Sequence, residues 1–203
     1  MVDYSLPLLF GPLIRTLREL APYVSLHLHG ADAERMLKLG RGEFDLVIST
    51  AQDPRAEAVP GLRSEPLYRD RWVCAVDANN PDVEDQITPE VFASLRHLEW
   101  GMGTPPVSNR GEVAYRAAGL QARVPVTMES FALMPLLLAG TDMMAIVPER
   151  LGIRVGQIVG LKLLELPFET PQSVEALYWN ALTDADPAHM WLRATLHDIA
   201  REL

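Results

Sequence analysis

Apolar positions along the 203-residue chain recur with two alternating periods, and that alternation predicts the element order. Leu6, Leu9, Phe10, Leu13, Ile14, Leu17 and Leu20 fall three and four residues apart, the stripe of an amphipathic helix, and Pro22 closes it. Val24-Ser25-Leu26-His27-Leu28-His29 switches to period two, which predicts a half-buried strand ended by Gly30. Ala33, Met36 and Leu37 predict a short second helix that stops at Gly40 and Gly42, and Asp45-Leu46-Val47-Ile48 a fully buried strand. Residues 62–68 and 71–76 read as two extended segments joined by a tight turn.

Thr88 caps a further helix with Pro89 at its first position, and residues 97–100 return as a strand. Residues 101–106 form a Gly/Pro loop, after which the rhythm restarts: helix 112–118, strand 123–127, helix 131–139 and strand 143–147. Residues 161–166 and 174–179 read as strands, and Asp186-Pro187 opens a final helix to Arg201. Alternation of this kind predicts α/β units with parallel sheets, which bind ligands beyond the carboxyl ends of their strands.

Composition narrows the function classes. The formal charge of −9 argues against this chain holding nucleic-acid phosphates, which require clustered Lys and Arg. Cys74 is the only cysteine, so an internal disulfide is excluded, and its place in the apolar run 72–76 reads as a buried strand thiol. No apolar run approaches the ~20 residues of a membrane span and the first residues lack a secretory signal, so a cytoplasmic protein is expected. His27 and His29 share a strand face at a spacing that metal sites use, yet no neighbouring ligands complete a set, and a solvated or dimer-facing strand is the simpler reading. No nucleophile elbow, phosphate loop or zinc-protease motif is present, so neither catalysis nor a cofactor or metal is expected.

Four strings resemble the effector-binding domain of LysR-type transcriptional regulators. They are Gly42 with Glu43-Phe44-Asp45-Leu46-Val47-Ile48; Leu67-Tyr68-Arg69-Asp70-Arg71-Trp72-Val73-Cys74; Asp142-Met143-Met144-Ala145-Ile146-Val147-Pro148-Glu149-Arg150; and Asp186-Pro187 followed by Trp191-Leu192-Arg193. They occur in the family's order, and the last is typical of the branch containing nodulation and aromatic-catabolism regulators. The resemblance implies two Rossmann-like lobes joined by two crossover strands, similar to type II periplasmic binding proteins. Lobe I would take residues 1–100 and 169–203 and lobe II residues 101–168. The family's DNA-reading helix-turn-helix lies outside these residues, and the first strand of lobe I survives only as residues 1–5.

By that resemblance an effector would sit between the lobes, against Tyr4, Ser5, Trp100, Arg110, Ser130, Phe131 and Arg150. Asn109 with Glu112 fits a capping box, aiming the positive end of a helix and Arg110 at the site, and Arg150 is suited to clamp a carboxylate. Phe131 is read as either an aromatic stacking partner or a core residue. Aromatic-acid sensors of the family carry His where Arg110 and Ser130 stand, which implies a different or more anionic effector here. The resemblance further implies a homodimer through lobe I, a tetramer of the full-length regulator, and contact with DNA only through the missing domain. Two other readings share the scaffold: a transporter's solute-binding protein, and a small-molecule lyase or dehydratase.

Overall fold

The computed structural model describes residues 3–30, 34–102 and 107–203. The chain divides into two compact units, residues 1–69 with 174–203, and residues 70–173. It passes between them twice, at the end of β2 (Leu62–Asp70) and at the start of β9 (Ser173–Asn180). The expected division at residues 100 and 168 differs from this one for a reason of pairing. β3 (Trp72–Asp77) and β4 (Arg96–Met102) are hydrogen-bonded into the sheet of the second unit, so residues 70–100 pack there.

In the first unit, a π-helical turn over Leu6–Phe10 runs into α1 (Gly11–Leu20), together covering the predicted first helix. α2 (Arg35–Gly40) and β1 (Val47–Thr50) follow, and Asp53 caps the short α3 (Pro54–Glu57). The sheet has three strands in the order β1-β9-β2, with β1 antiparallel to β9. Met36, Leu39, Val47, Ala176 and Tyr178 form a buried cluster. α8 (Pro187–Arg201) closes the unit; Asp186 accepts the His189 N–H, the predicted cap. Residues 4 and 5 belong to a turn and a helix start, not to a strand, and residues 1 and 2 lie outside the described residues. Residues 24–30 belong to no helix or sheet, so the strand predicted at 24–29 does not form. The alternation is present in the sequence, but among the described residues no neighbouring strand pairs with it.

The second unit holds a six-stranded mixed sheet. β5 (Val107–Ser108), β4, β7 (Met143–Pro148), β3 and β8 (Leu161–Leu164) follow in that order, and β6 (Arg123–Met128) pairs with β4. β4 runs parallel to β6 and β7, whereas β3 is antiparallel to β7 and β8, so the expectation of a parallel sheet holds for only part of it. β3 lies between two strands, which buries Cys74 completely and pushes its thiol up to about 12. Its helices are α4 (Pro89–Ser94), capped by Thr88 as predicted, α5 (Arg110–Ala117), α6 (Met134–Leu138) and α7 (Glu149–Val159). The sequence pattern did not single out α7. Gly152 allows the Leu163 side chain of β8 close in, because a Cβ there would lie 2.8 Å from it. Gly160, at φ 76°, ends the helix in the left-handed conformation.

Candidate functional site

The expected site residues fall in both units. Tyr4 and Ser5, in the first, are fully packed: the rings of Tyr4 and Tyr68 meet edge-on at 6.4 Å, and Ser5 Oγ lies 2.9 Å from the Tyr68 hydroxyl. The other five are in the second unit. Trp100, at the end of β4, stacks on Phe131 with ring centroids 5.0 Å apart and planes 6° from parallel. Phe131 in turn meets Trp72 at 5.9 Å. Phe131 is buried and Trp100 half-buried, so a packed ring backs a more accessible one. The Trp100 indole N–H donates to the Glu129 carbonyl, and the Ser130 hydroxyl accepts the Leu133 N–H, fixing the turn that leads into α6.

The start of α5 is built as its sequence predicts. Asn109 accepts the Glu112 N–H at 2.8 Å and Glu112 accepts the Asn109 N–H at 3.0 Å, a reciprocal box that leaves the helix's positive end beside the exposed Arg110. Gly111 is required there: a Cβ would lie 2.6 Å from Ile146 and 3.5 Å from the Trp72 ring, so only glycine lets α5 seat against β7 and β3. Glu112 also accepts the backbone N–H of Trp100 at 2.8 Å, tying the stacking residue to the helix cap.

Two carboxylates lie beneath this arrangement. Burial, and then the charge of Glu99, raise Glu112 to about 8, while the N–H groups of Asn109 and Trp100 pull the other way. Glu99 accepts the Tyr115 hydroxyl at 2.6 Å and an Arg116 N–H at 2.9 Å. Burial and that hydrogen bond push the Tyr115 phenol up.

Arg150 occupies the second position of α7, half-buried. The residue before the helix is Pro148, which has no capping group, and Asp70 substitutes for it from another segment: its Oδ1 accepts the Arg150 N–H at 3.3 Å and the Arg71 N–H at 2.9 Å. Glu149 N–H donates to the Arg71 carbonyl. The positive end of α7 is therefore met by a protein carboxylate. Burial raises the Asp70 carboxyl to about 6, against the pull of the two N–H groups.

Asp70, Trp72 and Gly111 were not among the expected site residues. The signal for Asp70 and Trp72 lay in the string 67–74, where they alternate around Arg71, but only the folded sheet brings Trp72 to Phe131 and Asp70 to α7. The arrangement offers an indole face for a planar ring and a helix N-terminus with Arg110 for negative charge.

Two α/β units on a chain that passes between them twice place the protein in the class of type II periplasmic-binding-protein-like folds. The sequence profile of the LysR substrate binding domain matches residues 1–201, and the chain belongs to that family. Nodulation protein D 3 of Mesorhizobium japonicum is 28% identical over 196 residues, 94% of this chain and 62% of that protein. The HTH-type transcriptional regulator SyrM 1 of Sinorhizobium fredii is 29% identical over 193 residues, 95% of this chain and 55% of that protein. The chain thus spans less than two thirds of the length of these curated relatives. The regulatory domain of MexT, a transcriptional activator in Pseudomonas aeruginosa, shares the fold with a TM-score of 0.81 at 24% identity, covering 97% of this chain and 96% of that one. Among the described residues no helix is long and apolar enough to cross a membrane.

Proposed function

We propose that the chain is the sensing module of a cytoplasmic LysR-type transcriptional regulator, and that a small anionic or aromatic effector bound to it shifts the oligomeric state of the full-length, DNA-bound protein. The observation that carries the reading is the Trp100–Phe131 stack tied through Glu112 to the start of α5. In this reading the effector's ring lies on Trp100, its charged group is met by Arg110 and the α5 N-terminus, and Arg150 supplies a bidentate clamp, with Ser130 at the same turn. Tyr4 and Ser5 contribute only if the packing around Tyr68 opens. The effector acts by binding one arrangement of the protein more tightly than another, since equal affinity for both shifts nothing. Self-association through the first unit, and a tetramer of the full-length protein, complete the proposal.

The test is calorimetric titration with a panel of aromatic and aliphatic carboxylates, followed by variants. Trp100→Ala and Arg110→Ala are each expected to weaken the best ligand about tenfold, which corresponds to about 1.4 kcal/mol. Arg150→Ala is expected to abolish the effector-dependent response while the circular dichroism and melting temperature stay unchanged. Unaltered affinity in all three variants overturns the site.

A further inference from the structure

The two buried carboxylates of the second unit are held in different ways. Glu99 is paired with a cation: Arg116 donates to its Oε2 at 2.9 Å, and the Tyr115 hydroxyl to its Oε1 at 2.6 Å. Glu112, 1% exposed, receives neutral donors. These are the Trp100 N–H at 2.8 Å and the Asn109 side-chain amide at 2.7 Å on Oε1, and the Asn109 N–H at 3.0 Å on Oε2. The ionisable groups around it are Glu99 on β4 and Arg110, Tyr115 and Arg116 on α5. Further out, His97 of β4 lies 6.2 Å from the Tyr115 ring, and burial holds it below its ordinary value. β7 and β3 meet the start of the helix with the uncharged Ile146 and Trp72.

Glu112 is the third residue of α5, so its carboxylate already occupies the positive helix end that the effector's anionic group would use. Two negative charges there repel each other, and a proton on Glu112 removes the conflict and weakens its hold on Asn109. A second feature marks the same end as a place for an acceptor. The Trp72 ring lies 3.5 Å from where a side chain at Gly111 would begin, and its buried N–H has no partner among the described residues.

We infer, resting on the effector reading above, that Glu112 is the charge-selecting residue of the site: an anionic effector binds together with one proton, which Glu112 takes up from solvent, and an uncharged effector of the same shape binds without one. The linkage is reciprocal, so the bound anion raises the proton affinity of Glu112 by the factor by which the proton raises anion affinity. With Glu112 raised to about 8, the acid form is in place below that pH, and above it each bound anion must draw in a proton.

The test is calorimetric titration of the 203-residue chain with benzoate, a planar ring with one carboxylate that stays ionised throughout, and with its uncharged counterpart benzamide, from about pH 6 to about pH 9. Benzoate affinity is expected to fall about tenfold between about pH 7 and pH 9, with about one proton taken up per benzoate at the upper end, read from the dependence of the heat on the buffer. Benzamide is expected to show neither effect. Glu112→Gln keeps a capping-box residue that carries no charge, and is expected to abolish the pH dependence and bind benzoate at pH 9 as tightly as the parent does at pH 6. Equal pH profiles for the two probes, or a fall that survives Glu112→Gln, overturn the inference and leave the effector reading standing. Failure of benzoate to bind at pH 6 also overturns it, and failure of the whole carboxylate panel overturns the effector reading as well.

Discussion

The two units are built from the same helix-strand rhythm, yet one holds a six-stranded sheet and the other, among the described residues, a three-stranded one. In the second unit, β3 lies between β7 and β8, and Val73 to Val76 are buried without exception. In the first, β1 ends the sheet beside an open groove, and among the described residues a segment with a good strand sequence, 24–29, joins no sheet. The comparison separates two kinds of information. A period-two pattern fixes which face of a strand is apolar, but a strand exists only when a neighbour accepts its hydrogen bonds.

The first unit compensates with a polar core. Arg35 donates to Ser49 at 2.9 Å and to Asp53 at 3.0 Å, with both charged side chains buried, and the Arg55 guanidinium adds two further hydrogen bonds to Asp53. Burial by itself would raise the Asp53 carboxyl, but the Arg55 and Ser49 hydrogen bonds win and hold it at about 2. The largest effect on the contrast is therefore expected from Asp53→Ala, which strands Arg35 in the interior and removes the cap of α3. We expect a loss of about 3–5 kcal/mol, read by urea unfolding of the first unit. A loss below about 1 kcal/mol would mean that the cluster does not hold this unit together.

Truncations at matched chemistry sharpen the difference in packing. Met144→Ala, in the fully buried part of the six-stranded sheet, is expected to cost about 2–5 kcal/mol because it leaves a cavity in a packed core. Leu192→Ala, on the groove wall and only half-buried, is expected to cost under about 1 kcal/mol, since it enlarges an opening that already exists. Similar melting shifts for the two would show that the groove is filled in solution.

A smaller effect distinguishes the second unit by pH. Asp70 is raised from the ordinary carboxyl value of 3.8 to about 6, so the folded state binds its proton more tightly than the unfolded state does. That contribution is fully present below pH 3.8 and is lost as pH rises through 6, amounting to about 1–3 kcal/mol at neutral pH. Asp70→Asn is expected to flatten this part of the stability profile between pH 4 and 6, while the Asp53 contribution, lost only as pH falls from 3.8 towards 2, is untouched. A profile identical to that of the parent chain would remove Asp70 from the α7 cap.

Much of this architecture was legible before folding. Thr88, Asn109 with Glu112, and Asp186 announce three helix starts, because capping needs only residues within one turn of one another. The four family strings pointed to the LysR substrate binding domain family that the profile match establishes. Less legible was anything joining distant segments. Trp100 and Phe131 both drew attention, but nothing in their spacing shows that their rings stack, and Asp70 serves as the cap of α7 from 79 residues before its first residue.

The sequence by itself determined the element order, the local caps, the burial of Cys74 and the family, since these rest on short-range geometry and on patterns carried by the chain. The tertiary structure decided which strands found partners, where one unit gives way to the other, and which carboxylate meets which helix end. Those outcomes depend on distances between segments far apart in sequence, and on burial, which turns an ordinary Asp70 or Glu112 into a group with a strongly shifted proton affinity.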